Sequence, residues 1–347
     1  MLKYLYKVTL QTYFSRFEMD KKDIRRANLQ ILRQALMDLG QATKPQLAEA
    51  AGFSVVTVNA LLKDLVKTGE AEAVEAAAVP GEAGGRPAQQ FAYCRNRKLL
   101  LLLYMFEEQG RDKLVLAVEN LLGEIIWQKD MFPNEITEAV LLTELQAALE
   151  EFPKVSQVLL GMPGVEAAGR MLVIDYPQLR DLTLTFDLSK KLGLPVYFCN
   201  DINAAVSGYG RTCEKAGQET IVGLYWPHGY PPGAGILLNG RLYTGRDGIA
   251  GEVGCRFSAV ESYREENFPR LAAAEIIRQV RYWNPHRLII YREGMTEDEL
   301  AGILSACQEE LPQALLPQVE IGVSFAQDYV QGLQQIGREL LCNEGGR

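Results

Sequence analysis

Thr57 and Asn59 carry short polar side chains that can hydrogen-bond a base edge or a phosphate oxygen, and Val55 and Val56 offer methyl groups that can touch a thymine. Lys63 lies one helical turn beyond Asn59, Ser54 stands just ahead of the group, and Lys44 lies upstream. Together these seven residues have the chemistry of a surface that reads duplex DNA. Amide, hydroxyl and methyl groups would face bases, and ammonium groups would face phosphates.

Such a surface needs a helix to carry it. Val58, Leu61, Leu62 and Leu65 recur at helical spacing over 55–68 and form the stripe that must be buried, which turns Val55, Val56, Thr57, Asn59 and Lys63 outward. Ser54 suits the N-cap of this helix, after the tight turn Gly52-Phe53-Ser54. A shorter helix, Lys44 to Ala51, has Thr43 as its N-cap, Pro45 in its first turn, and Leu47, Ala48 and Ala51 facing inward. Ile24, Ala27, Leu29, Ile31, Leu32, Ala35, Leu36 and Leu39 predict a first helix over 24–39, stopped by Gly40. With a following wing that ends at Gly84-Gly85-Arg86-Pro87, residues 20–93 read as a winged helix-turn-helix. In that arrangement the recognition helix presents its N-terminal residues to base edges. A plain three-helix interaction module is the alternative reading of the same helices.

Charge favours DNA. Residues 1–98 hold 15 basic and 10 acidic residues, net +5, whereas residues 99–347 hold 21 and 34, net −13. A basic head on an acidic body directs phosphate contacts to one end. The wing runs against this trend, because Glu70, Glu72, Glu75 and Glu82 make 70–85 acidic. Arg86 is therefore the wing residue expected near the minor groove or the DNA backbone. Residues 1–19 form an aromatic and apolar N-terminal extension without the long apolar core and cleavage site of a signal peptide.

At 347 residues and 48% hydrophobic content the chain can bury a full core in two or three domains. Its six cysteines show no Cys-x-x-Cys spacing and read as reduced thiols of a cytoplasmic protein. No apolar run approaches the length of a membrane span. Beyond Cys94 the pattern alternates. Strands are expected at 99–106, 114–118, 124–129, 155–161, 195–199, 220–225, 235–238 and 287–291. Helices are expected at 135–151, 183–193, from 202, and at 270–283, 296–309 and 326–341. Two successive sets imply an α/β domain over 94–347 with two lobes, about 98–200 and 201–325, and a ligand cleft between them.

Several short motifs occur in order along the chain: Arg26-Ala27-Asn28, Gly84-Gly85-Arg86-Pro87, Gly161-Met162-Pro163-Gly164, Leu194-Pro195-Val196, Asn200-Asp201-Ile202-Asn203-Ala204-Ala205, and Gly248-Ile249-Ala250-Gly251-Glu252-Val253-Gly254. In these motifs the chain resembles the repressor branch of the ROK family (repressors, open reading frames, sugar kinases) over nearly all of residues 20–340. The resemblance implies an α+β multidomain chain: a winged helix-turn-helix, then a two-lobed actin-like, ribonuclease-H-like domain that binds a hexose or amino sugar between its lobes. It makes Asn200, Asp201, Glu252 and Gly164 the sugar-site residues. In a kinase of this type Asp201 would be the general base on the sugar hydroxyl. Asp201 also suits the N-cap region of the helix that begins there.

Departures from the family pattern are as informative. Where the family's first strand turns through Asp-x-Gly-x-Thr, this chain has Tyr104-Met105-Phe106-Glu107-Glu108-Gln109-Gly110-Arg111, and two glutamates would repel a triphosphate. The second phosphate loop reads Trp226 to Gly235 with prolines at 227, 231 and 232, which lack the N–H that a phosphate cradle uses. Tyr291-Arg292-Glu293-Gly294 replaces the Gly-Gly turn that would seat adenosine. The family's zinc loop supplies one histidine and three cysteines, but here Cys255 stands alone through Phe268, and one thiol cannot build a tetrahedral site. His228 and His286, the two histidines, read as structural.

No metal or nucleotide cofactor is therefore expected. The expected function is that of a DNA-binding transcriptional regulator, a repressor by its branch, that senses a sugar or related metabolite without phosphorylating it. The alternative is a regulator whose degenerate domain serves dimerisation or protein docking, with a sugar kinase a distant third. Its partners would be a double-stranded operator, a sugar-type effector and further copies of the chain, as a dimer or a dimer of dimers. Two small reading heads on a palindrome add their contacts, where one buries too little surface for tight operator binding.

Overall fold

The computed structural model describes residues 21–74, 88–227, 230–254 and 267–343, in two compact units that divide after Arg97. The N-terminal extension, Arg86 with the tip of the expected wing, His228 and Cys255 lie outside the described residues.

The first unit runs α1 (Lys21–Leu39), β1 (Gln41–Thr43), α2 (Lys44–Ala51), α3 (Val55–Lys67), β2 (Ala71–Val74) and β3 (Gln90–Tyr93). The strands form an antiparallel sheet in the order β1-β3-β2. Local signals set the helix starts. Thr43 and Gln46 close a reciprocal capping box on α2, Gly52 ends it at φ 71°, and Ser54 accepts from the Thr57 amide to start α3. Leu32, Leu36, Leu47, Val58, Leu62 and Leu65 fill the core between the helices.

Two sequence expectations change here. Ile24 and Leu39, counted in the apolar stripe of α1, are 48% and 45% exposed, because they sit at the helix ends beyond the reach of α2 and α3. Glu70, counted with the acidic wing, is buried: Arg33 Nε pairs with it at 2.6 Å and Arg97 stands at 3.9 Å. Those cations and the Thr68 hydroxyl outweigh its burial and hold its carboxyl below the usual range. Glu70 thus contributes an internal ion pair rather than surface acidity.

The second unit contains β4 (Leu99–Glu108), β5 (Arg111–Asn120), β6 (Ile125–Met131), α4 (Glu138–Glu151), β7 (Val155–Met162), β8 (Val165–Ala167), β9 (Arg170–Val173), α5 (Leu184–Leu192), β10 (Val196–Asn200), α6 (Asp201–Thr212), β11 (Thr220–Tyr225), β12 (Gly233–Leu238), β13 (Arg241–Leu242), α7 (Phe268–Trp283), β14 (Arg287–Tyr291), α8 (Glu297–Glu310), β15 (Gln318–Ile321) and α9 (Phe325–Asn343). It holds two five-stranded sheets with one topology. The orders are β6-β5-β4-β7-β10 and β13-β12-β11-β14-β15. In each, the first three strands form an antiparallel meander and the last two join the first strand in parallel. The alternation of strands and helices shows the two lobes in the sequence, but β8, β9, β13 and β15 are too short to stand out from it.

Strand β4 is buried on both faces, as its unbroken apolar run requires. Leu101, Leu103 and Met105 pack toward α4 and α5, while Leu100, Leu102 and Tyr104 pack toward α6 and α9. Helix α9 presses on the first sheet, with Gly337 against Leu100 and Gly161 of β7 beneath Tyr329 and Leu333. Helix α6 presses on the second, where Gly235 of β12 lies against the Ile202 carbonyl and Val206. The two helices cross in backbone contact: a Cβ on Gly332 would stand 1.8 Å from the Ala204 carbonyl oxygen, and one on Gly208 1.9 Å from that of Asp328.

That crossing yields a direct test. Gly332→Ala must push two helix backbones apart and should lower stability by about 1–3 kcal/mol or more, as overpacking does. Gly302→Ala, in α8 with open space around it, should leave stability unchanged or raise it slightly. Differential scanning calorimetry of both variants reads the contrast, and equal melting temperatures would contradict the packing described.

Candidate functional site

Strand β10 runs straight into α6, so its last residue and the first of the helix fall at the carboxyl edge of the first sheet. Asn200 closes that junction. Its Oδ1 accepts from the Asn203 amide at 3.1 Å and caps α6, and its Nδ2 donates to the Gly164 carbonyl at 3.0 Å. Gly164, at φ 130°, follows β7, the strand beside β10. The carboxyl ends of two parallel strands are thereby tied together, which is where an open α/β sheet offers a binding crevice.

A cavity of about 210 Å³ opens at this edge. Gly164, Asn200, Asp201 and Glu252 all line it. So do three carboxylates not singled out as site residues from the sequence: Glu107, Asp112 and Asp175. No lysine, arginine or histidine is among the described lining residues. Glu107 and Asp112 face each other across the β4–β5 hairpin, whose turn residues Gln109 and Gly110 both take positive φ. Asp175 follows β9 in the segment that leads to Tyr176. Tyr176 donates its hydroxyl to Asp112 at 3.3 Å, and Tyr230 hydrogen-bonds the same carboxylate. Glu252 arrives on a loop docked to β12 through Gly251, where a Cβ would meet the Ala234 carbonyl oxygen at 1.9 Å.

The electrostatics follow from this crowding. Burial, reinforced by Asp175 and Glu252, pushes the Asp201 carboxyl up to about 7 against the opposing hydrogen bond from the Ile202 amide at 2.7 Å. Burial and then Asp175 raise Glu252 to about 7. Burial and Asp112 raise Asp175 to about 6, against Arg180. Acceptors of this kind suit hydroxyl and ammonium donors and oppose phosphate.

Aromatic side chains pack at the ends of β11 and β14. Phe325 stacks on Tyr225 at 3.7 Å between ring centres and meets Tyr291 edge-on. Tyr291 is buried against Gly322 and donates its hydroxyl to Asp328 at 2.7 Å. Among the described residues no group of three His, Cys, Asp or Glu side chains could hold a metal ion. His286 accepts the Thr220 amide at the start of β11, a structural contact.

In the first unit, Val55 and Val56 are 46% and 80% exposed at the start of α3, and Lys63 is exposed one face along. Thr57 and Ser54 share a hydroxyl contact at 2.9 Å. Lys44 donates to Asn59 Oδ1 at 2.7 Å and lies over the Phe91 ring, which fastens α2 and β3 to α3. Thus Val55, Val56 and Lys63 point outward unpaired among the described contacts, whereas Lys44, Ser54, Thr57 and Asn59 hold one another.

Comparison with known proteins fits this geometry. Residues 108–261 match the ROK family. It is 23% identical over 242 residues to the xylose repressor of Caldicellulosiruptor bescii, which covers 67% of this chain. The chain spans only 58% of that repressor's length. It is 29% identical over 161 residues to the N-acetyl-D-glucosamine kinase of Erwinia tasmaniensis, covering 45% of this chain and 52% of the kinase. In fold it is similar to a ROK family transcriptional regulator described as a homologue of the Mlc protein of E. coli, with a TM-score of 0.56 at 18% identity over 91% of this chain and 97% of that one.

The raised carboxyls predict how stability varies with pH. Each binds its proton more tightly in the folded chain than in the unfolded one, so this contribution is present in full below about pH 4 and is lost as the pH rises toward 7. Asp201→Asn keeps an oxygen for the Ile202 amide and removes the charge. The variant should melt at least about 2 °C above the parent at pH 8, with the gain shrinking at pH 5. A gain that is larger at pH 5 would reverse the sign of the argument.

Proposed function

We propose that this ROK-domain chain is a DNA-binding transcriptional regulator, a repressor, whose cleft binds a polyhydroxylated effector and does not phosphorylate it. The observation that carries the proposal is the cavity at the start of α6, walled by carboxylates and with no cationic side chain among its described lining residues. Carboxylates accept hydrogen bonds from sugar hydroxyls, yet they repel the phosphates of a nucleotide or of a phosphorylated product. By the family resemblance, the glutamate-bearing β4–β5 hairpin would stand where a kinase holds phosphate, and Tyr291-Arg292-Glu293-Gly294 would replace the turn that seats adenosine. Asn200 and Gly164 shape the wall, and Asp201 and Glu252 accept from the ligand. A platform that binds no small molecule would have no use for an open, charged cleft.

The first unit supplies the reading head in this proposal. Its α1-α2-α3 arrangement with the β1-β3-β2 sheet supports reading it as a winged helix-turn-helix, with α3 as the recognition helix. Val55 and Val56 would contact bases and Lys63 a phosphate. Thr57, Asn59, Ser54 and Lys44 would preorganise that surface, each still able to offer a second hydrogen bond. Two copies of the chain on a palindromic operator add their contacts.

Both halves can be tested. Thermal-shift screening with xylose, glucose and N-acetylglucosamine and with their phosphate esters should show stabilisation by at least one neutral sugar and none by the esters. Preferential stabilisation by a phosphate ester would exclude the cavity chemistry. Lys63→Ala should weaken binding to operator DNA and reduce the log–log salt slope by about one. An unchanged slope in fluorescence anisotropy places the phosphate contact elsewhere.

A further inference from the structure

The side chains that stand clear of α3 in its first two turns are apolar. Val55 is 46% exposed and Val56 80%, and Ala60, one turn beyond Val56, is exposed on the same face. The polar side chains between them lie further back. Thr57 and Asn59 are half-buried, and each already holds a partner, Ser54 Oγ at 2.9 Å and Lys44 Nζ at 2.7 Å. Ser54 is engaged in turn as the N-cap of the helix.

Folding gives no reason for this ridge. The buried stripe of α3 is complete in Val58, Leu61, Leu62 and Leu65, on the opposite side of the helix. An exposed valine lowers helix propensity and gains nothing from burial. What valine does offer is stiffness. On a helix it holds essentially one χ1 rotamer, so its methyl groups keep a fixed place and lose little freedom when something packs on them.

Charge identifies the partner. Lys63 and Lys67 are exposed seven and eleven residues after Val56 on the same ridge, about 10 and 16 Å further along the axis. Residues 1–98, to which they belong, carry a net charge of +5. An apolar tip followed by ammonium groups fits a major groove, with methyl-bearing base edges at the tip and phosphates along the flank.

We infer that the base feature read by α3 is the 5-methyl group of a pyrimidine, with Val56 as its principal reader and Ala60 closing the contact one turn on. This rests on the reading of the first unit as a DNA-binding head. Its consequence reaches beyond thymine. 5-Methylcytosine carries its methyl at the same place in the major groove and supplies the same contact. Uracil and cytosine lack that methyl and lose it. The partner is therefore a duplex with a methyl-bearing pyrimidine in each half-site, and its affinity responds to cytosine methylation.

The test uses the full chain. A random duplex library is selected by binding, and each thymine of the tightest sequence is then replaced singly by deoxyuridine, which keeps the base pair and removes the methyl. Fluorescence anisotropy should show about fourfold weaker binding at one thymine or more, the effect of withdrawing one methyl from contact. In Val56→Ala the ratio of thymine to uracil affinity at that position should fall to about one, which a merely structural role for Val56 would not produce. With cytosine set at the same position, 5-methylation should tighten binding by a similar factor in the parent chain and not in the variant. Uracil tolerated at every position, a ratio that survives Val56→Ala, or cytosine and 5-methylcytosine bound alike overturns the inference and leaves DNA reading standing. A chain that enriches no sequence from the library overturns both.

Discussion

The backbone contact between α6 and α9 is the constraint on which the second unit depends. Each helix is pressed onto a different sheet, and at the crossing Gly208 and Gly332 leave room for carbonyl groups of the other helix and for nothing larger. Packed interiors transmit displacement rather than absorb it. The start of α6 is therefore held from two sides, by the Asn200 cap that ties it to β7 through Gly164 and by the glycine crossing one to two turns along. Asp201 is fixed in the cleft wall by that geometry, and every property of the site follows from where it stands.

A held carboxylate in a crowded wall has an electrostatic consequence. Asp201 is buried with Asp175 and Glu252 half-buried near it, no lysine, arginine or histidine stands among the described lining residues, and burial with the neighbouring carboxylates raises all three carboxyls. In the proposed function, ligand binding would exchange protons for hydrogen bonds at the first turn of α6. In the proposed regulator this is the place where a small molecule could bias one arrangement of the chain over another, and bias of that kind needs only differential affinity, not chemistry.

Much of this was legible in the sequence because its signals are local. Thr43 and Ser54 cap the helices they were expected to cap, the apolar run at 99–106 is a strand buried on both faces, and the Asn200-Asp201 junction falls where a strand passes into a helix. What stayed hidden is non-local. Glu70 looks like wing acidity until Arg33 and Arg97, distant in sequence, are seen to pair with it. Asp112 becomes a site residue only once the turn at Gln109-Gly110 sets its register opposite Glu107. Asp175 lies in an irregular link after a four-residue strand, and no periodicity marks it. Thr57 and Asn59 looked like free polar groups in the sequence, yet Ser54 and Lys44, brought beside them by the turn and by α2, each take one of their hydrogen bonds.

The central claim is that occupation of the Asp201 cavity is coupled to DNA binding without any group transfer. Linkage makes this measurable, since the factor by which a sugar changes operator affinity must equal the factor by which the operator changes sugar affinity. The account predicts equal factors of about fivefold or more in both directions, measured by anisotropy and calorimetry without ATP. Operator affinity that stays constant while the cavity is titrated to saturation would contradict it.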